Sequence, residues 1–149
     1  MGSIIKHQFF YPNPPGDVWE YLTKPELIAL WLMKNDFQPI LGHEFKFTIH
    51  PMPDLDFDGI FYCKVLEITP LKSLSYSWKF GPGNGTLFDS VVEWTLTEKD
   101  NGTELQLVHR TFKDSGIPNL FNLLDDGWLK NVQKINKLLN ATSNGTTKA

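Results

Sequence analysis

The sequence lacks the features that mark several large classes of protein. Its 149 residues include one cysteine, Cys63, so the chain can form neither an intrachain disulfide nor a cysteine-based zinc site. No run of Lys or Arg exceeds two residues, and the formal net charge is -3. Non-specific binding of nucleic acid depends on neutralising phosphates, so we expect no nucleic-acid partner.

Long apolar segments are also missing. No stretch approaches the ~20 apolar residues of a membrane span, and MGSIIKHQFF at the start lacks the long apolar core of a signal peptide. We therefore expect a cytoplasmic protein without a membrane span. A chain of this length buries roughly 70% of its unfolded surface, so it can fold as one domain without a disulfide or a metal.

Catalytic and phosphate-binding motifs are absent as well. The sequence has no G-x-S-x-G elbow, and GPGNG at 81–85 lacks the Lys-Ser/Thr of a phosphate loop and predicts a turn. Asp125 and Asp126 are adjacent, so on a helix they point about 100° apart, which is poor geometry for an acid/base pair. Cys63 lies in an apolar strand, where packing is the simpler interpretation.

Neither the histidines nor the acidic segment 54–59 has the ligand pattern of a metal site. The histidines have neither the i, i+4 helical spacing nor the cysteine neighbours of a metal motif; they are His7, His43, His50 and His109. DLDFDG at 54–59 resembles the start of a calcium loop, but Val65 stands where that loop needs a bidentate Glu. We predict no catalytic residue, no cofactor and no metal.

The segment VWEYLTKPELIALWL at 18–32 is helical in its apolar spacing but contains a proline. Pro25 disfavours helical geometry in the residue before it, so the segment predicts two short helices that meet at a corner. Asn13 can cap the first helix, and Thr23 with Glu26 has the spacing of a capping box for the second. The residues expected to point inward from the second helix are Leu27, Leu30, Trp31 and Met33.

The remainder of the chain predicts strands followed by one long helix. Residues 3–11 and five or six later segments alternate as strands do, and Asp100-Asn101-Gly102 predicts a hairpin turn, so the strands form an antiparallel meander. From Pro118-Asn119 the apolar residues recur at steps of three and four, which predicts a helix of ~20 residues, or ~30 Å. Residues 141–149 are small and polar, and we predict a disordered tail.

This order of elements resembles the START-like (SRPBCC) superfamily. The closer resemblance is to the activator of heat-shock protein 90 ATPase homologue family, in its small bacterial single-domain form. The segments that carry it are VWEYLTKPELIALWL (18–32), LGHEF (41–45), LSYSW (74–78), NGTELQLVH (101–109) and GWLKNVQKINKLL (127–139). The resemblance implies an α+β helix-grip fold, with a curved antiparallel sheet of six to seven strands around a long C-terminal helix, in one domain over 1–140. The acidic loop 51–59 is longer and more acidic than the family pattern leads one to expect, and it either shields a cavity mouth or merely joins two strands.

The aromatic residues admit two interpretations, a solid core or the wall of a ligand cavity between sheet and helix. His109 shares a face with Leu105 and Leu107, so it is either a hydrogen-bonded core residue or a polar group inside such a cavity. The candidate ligand-binding residues are Phe45, Phe47, Tyr76, Trp78, Trp94, His109, Phe121, Leu124, Asp125 and Trp128.

These sequence features are compatible with three functions. The first is non-catalytic binding of a small hydrophobic or amphipathic ligand. The resemblance implies a second, a chaperone partner of the heat-shock protein 90 type, acting through an outer surface. Related folds host cyclases and hydrolases, so an enzyme is the third. The oligomeric state is expected to be a monomer or a homodimer.

Overall fold

The computed structural model describes residues 3–52, 54, 57–81, 83, 87–112 and 120–148, with side chains described for 121–140 of the last range. Within them the elements are, in order, β1 (Ser3–Tyr11), α1 (Pro15–Thr23), α2 (Pro25–Trp31), β2 (Lys34–Asn35), β3 (Glu44–Thr48), β4 (Ile60–Thr69), β5 (Ser73–Lys79), β6 (Ser90–Lys99), β7 (Gly102–Thr111) and α3 (Leu120–Lys148). The predicted helix start at Pro118-Asn119 lies outside the described residues, and the disordered tail at 141–149 stays a prediction.

The strands form one curled antiparallel sheet in the order β1-β7-β6-β5-β4-β3-β2. Strands β3 through β7 form a meander, with short turns from β4 to β5 and from β6 to β7, while β1 closes against β7 over nine paired residues. Asp100 and Asn101 have φ of 51° and 63°, the two consecutive positive values that a tight hairpin needs between β6 and β7. The predicted helix-grip architecture is thereby confirmed.

The corner between α1 and α2 is present, but its capping was predicted wrongly. Lys24 is the N-cap of α2 without a side-chain hydrogen bond, and Thr23 donates its hydroxyl to the Trp19 carbonyl at 2.8 Å. Pro14, not Asn13, is the N-cap of α1. Each of these two helices begins with a proline in its first turn, where the absent N–H costs nothing, and starts without a side-chain hydrogen bond from its N-cap.

The inward face of α2 also differs from the prediction. Ile28 and Trp31 are buried, whereas Leu30 is 56% exposed. The Trp31 indole donates to the Tyr21 carbonyl at 2.7 Å, which ties α2 to α1 and fixes the rotation of α2. That rotation turns Leu30 to the outside.

One stripe of α3 packs against the sheet and α1. Trp128, Val132, Ile135 and Leu139 recur at steps of four, three and four, and all are buried. Burying each such side chain stabilises the fold by about 1.5–3 kcal/mol. Tyr11 of β1 donates its hydroxyl to the Val132 carbonyl at 3.3 Å, so α3 is also held at the β1 edge. No helix in the described part of the chain is long and apolar enough to span a membrane.

Candidate functional site

The structure contains a cavity of about 480 Å³ between the first half of α3, the end of α2 and one end of the sheet. Its volume lies within the range of small-molecule sites, roughly 300–1,000 Å³. Most of its wall is apolar or aromatic. The residues that line it are Leu32, Met33, Ile49, Met52, Phe57, Phe61, Trp78, Phe80, Leu123, Leu124, Gly127, Trp128, Asn131 and Lys134.

The α3 side of the cavity includes a glycine in the middle of the helix. A Cβ added to Gly127 would meet no neighbouring atom within 4 Å outside the helix's own backbone. Glycine in a helix interior costs about 1 kcal/mol relative to alanine. The local packing does not require this glycine, and its effect is to leave space in the cavity.

The acidic loop 51–59 supplies part of the opposite wall. Met52 and Phe57 pair through backbone hydrogen bonds of 2.9 and 3.2 Å, and both side chains line the cavity. Gly59 closes the loop with φ of 88°, and a Cβ there would lie 2.5 Å from the Ile49 carbonyl oxygen. Met52 and Phe57 therefore contribute to the cavity wall from the connection between β3 and β4.

Asp58 in this loop has a structural role. Its carboxylate accepts hydrogen bonds from the Ile60 N–H at 3.0 Å and from the Tyr62 hydroxyl at 2.9 Å. The hydrogen bond to the carboxylate raises the pKa of Tyr62. Among the described residues no group of three or more acidic, histidine or cysteine side chains could hold a metal ion.

Three polar side chains belong to the cavity wall. Asn131 and Lys134 lie on α3, one turn apart. Trp78 is 2% exposed, and its indole N–H has no hydrogen-bond partner among the residues that the structure describes. An unpaired buried donor costs about 1–3 kcal/mol.

His109 lies deeper, in a closed hydrogen-bond chain that joins α3 to the sheet. Trp128 donates its indole N–H to His109 Nδ1 at 2.8 Å, so the proton of the neutral imidazole is on Nε2. Nε2 donates to the Ser90 hydroxyl at 2.8 Å, and Ser90 donates to the Trp78 carbonyl at 2.5 Å. Burial lowers the pKa of His109 to about 4.

This chain places His109 in the hydrogen-bonded core. The contact between Ser90 and His109 resembles a nucleophile beside a base, but Nε2 donates to the serine oxygen and cannot take its proton in this tautomer. Burial also raises the pKa of the Cys63 thiol, with Asp36 a smaller cause, so Cys63 stays protonated. Neither group is arranged as an activated nucleophile.

Several of the other candidate residues form an aromatic core beside the cavity. Phe45 contacts Phe37 and Tyr76 edge-to-face, with ring centroids 4.9 and 5.2 Å apart. Trp94 donates its indole N–H to the Tyr76 hydroxyl at 2.9 Å, and burial raises the pKa of Tyr76. Phe47 is buried in the same cluster. These side chains support the cavity wall and do not line it.

The last candidates lie at the flank of α3. Phe121 is 45% exposed and does not line the cavity. Asp125 accepts a hydrogen bond from His7 Nε2 on β1 at 2.8 Å, and this contact links α3 to the edge of the sheet. Of the sequence candidates, the structure brings Trp78, Leu124 and Trp128 together at the cavity.

Sequence reasoning missed much of the wall. Met33 is among the residues expected to point inward and Phe61 lies in a predicted strand, whereas Met52 and Phe57 lie in the acidic loop, for which the sequence leaves open a shield over a cavity mouth or a plain connection. Gly127 was the signal in the sequence that could have located the cavity, since it is a glycine in the interior of a predicted helix, next to Trp128.

Comparison with known proteins agrees with this architecture. The model of the family described as Activator of Hsp90 ATPase homolog 1-like protein matches residues 12–140. Among curated proteins, none matches the chain.

Several solved structures share the fold of this chain. Protein MLL2253 from Mesorhizobium loti is 33% identical, with a TM-score of 0.81, over 94% of this chain and 98% of that one. Protein BH1534 from Bacillus halodurans is 24% identical, with a TM-score of 0.70, over 91% and 95%. The Aha1 dimer from Colwellia psychrerythraea is 16% identical, with a TM-score of 0.72, over 90% and 93%. The chain belongs to the family of Activator of Hsp90 ATPase homolog 1-like proteins.

Proposed function

We propose that this protein binds a small hydrophobic or amphipathic molecule in the cavity between α3 and the sheet, without catalysing a reaction on it. The observation that carries the proposal is Gly127. It faces a cavity of about 480 Å³ from a helix interior, where alanine would fit and would stabilise the helix. Glycine at this position leaves room for a ligand and lowers the stability of the helix relative to alanine.

The character of the wall supports the same proposal. Phe61, Trp78 and Trp128 present flat rings that suit an aromatic or alicyclic body. Met33 and Met52 are unbranched and polarizable, so they can adapt to ligands of different outline. Such a wall favours a ligand recognised mainly by its apolar surface.

A cavity-filling variant with a matched control tests the proposal. N-phenyl-1-naphthylamine, a neutral apolar dye that brightens in apolar surroundings, is titrated into the wild type, Gly127→Leu and Gly16→Leu. Gly16 lies in α1, where an added Cβ also meets nothing within 4 Å, but it does not line the cavity. We expect saturable binding to the wild type and to Gly16→Leu, and at least tenfold weaker binding to Gly127→Leu. Equal binding to all three would place the dye elsewhere and end the proposal.

Family membership favours a second candidate, a chaperone-associated role. The matching family is described by activation of the Hsp90 ATPase, and such a role would use an outer surface of the protein. The assay is the ATPase rate of the cognate chaperone with and without this protein. Stimulation that Gly127→Leu leaves intact would support the second role, and an unchanged rate would exclude it. The dimeric Colwellia relative makes a homodimer the form to look for by light scattering.

A further inference from the structure

The polarity of the cavity wall changes along α3. Leu124, Gly127, Asn131 and Lys134 follow one another at steps of three or four residues, so they lie along one side of the helix. The series runs from apolar, through the glycine, to an amide and then an ammonium group. At a rise of 1.5 Å per residue, Gly127 and Lys134 are about 10 Å apart along the axis.

Lys134 is the charged residue among the described residues of the wall, and it is not neutralised there. No described carboxylate lines the cavity. Lys134 forms no ion pair with any described residue, and the carboxylate of Asp58, next to Phe57 of the wall, accepts a hydrogen bond from Tyr62. The cavity thus combines an apolar interior with an uncompensated positive charge at an exposed position.

We propose that the ligand is an amphipathic anion, whose apolar body lies over Gly127 against the aromatic wall and whose oxyanion head contacts Lys134 and Asn131. This inference rests on the proposed function and specifies its ligand class. The head is a carboxylate, sulfonate or phosphate ester, since each accepts charge-assisted hydrogen bonds from an ammonium group. The amide of Asn131 can donate a further hydrogen bond to the same head.

Two dyes that differ only in a sulfonate test the inference. N-phenyl-1-naphthylamine is neutral, and 1-anilinonaphthalene-8-sulfonate is the same skeleton with the anionic group. Both are titrated into the wild type and Lys134→Met, which keeps an apolar stem but loses the charge. Lys137→Met is the matched control, because it removes the same charge from the same helix at an exposed position outside the cavity wall.

We expect the wild type and Lys137→Met to prefer the sulfonated dye. Lys134→Met should reduce that preference about three- to tenfold, the range for a partly exposed to partly desolvated ion pair. Added salt should weaken binding of the sulfonated dye and leave binding of the neutral dye unchanged.

The outcomes separate this inference from the proposed function. If both dyes bind, Gly127→Leu blocks both, and Lys134→Met leaves the preference unchanged, then the anion proposal is overturned while the cavity proposal stands. The same conclusion follows if the wild type prefers the neutral dye. If neither dye binds to the wild type, the cavity proposal fails and the ligand class falls with it.

Discussion

Lowering the pH should lower the free energy of unfolding of this protein through His109, and the size of that loss can be calculated. The imidazole is fully buried and neutral, with both nitrogens engaged, by Trp128 and by Ser90. Burial lowers the pKa of His109 to about 4, whereas the unfolded chain has the ordinary value of 6.5. Between these values the unfolded state binds a proton that the folded state does not, so folding stability falls as the pH falls.

The magnitude follows from the same two values. Below pH 4 the loss of folding stability caused by His109 approaches about 3 kcal/mol, because each unit of difference in pKa corresponds to 1.36 kcal/mol. Between pH 8 and pH 5 the loss assigned to His109 is about 2 kcal/mol. That is a large part of the 5–15 kcal/mol that typically stabilises a domain.

Urea unfolding at pH 8 and pH 5 measures this loss. We compare the wild type with His109→Gln, and use His50→Gln, at an exposed histidine, as the control. His109→Gln should be less stable than the wild type at pH 8, but its further loss on acidification should be smaller by about 2 kcal/mol. His50→Gln should follow the wild type. Equal losses in the wild type and His109→Gln would refute the assignment of a buried neutral histidine.

Three further variants test the packing around the cavity. Gly127→Ala should raise the free energy of unfolding by about 1 kcal/mol in a urea titration, since it adds a helix former where the Cβ meets no neighbour; a loss of stability would mean that the space is not there. Gly59→Ala should lower that free energy by about 1–3 kcal/mol, because φ of 88° and the Ile49 carbonyl oppose a Cβ; an unchanged midpoint would contradict the loop geometry. Trp128→Phe removes the donor to His109 and should lower the free energy of unfolding by about 1–3 kcal/mol at pH 7. An unchanged free energy would mean that this hydrogen bond does not stabilise the fold.

The element order could be predicted from the sequence because the periodicity is strong. Alternation over 3–11 predicts β1 with the bounds that the structure has, and Pro25 predicts the corner between α1 and α2. The stripe from Trp128 to Leu139 faces the sheet as its spacing requires. Details that depend on alternatives of similar free energy were not predictable. Proline in the first turn replaced the capping side chains, and one indole hydrogen bond set the rotation that exposes Leu30.

The cavity residues could be predicted only in part, for a physical reason. Alternation shows which face of a strand is inward, but not where along the strand the helix stops covering it. Tyr76 and Trp78 alternate identically in β5, yet Tyr76 is enclosed by rings and Trp78 borders open space. The loop residues Met52 and Phe57 have no periodicity, so their place in the wall depends on tertiary contacts.

The central claim is that an apolar ligand occupies the space bordered by Trp78 and Trp128. The five tryptophans give five indole N–H signals in a two-dimensional NMR spectrum, and N-phenyl-1-naphthylamine can be titrated against all of them at once. We predict saturable shifts of the Trp78 and Trp128 signals, with Trp19 on α1 unmoved because it does not line the cavity. Shifts at Trp19 without shifts at Trp78 and Trp128, or no shift at all, would contradict the account.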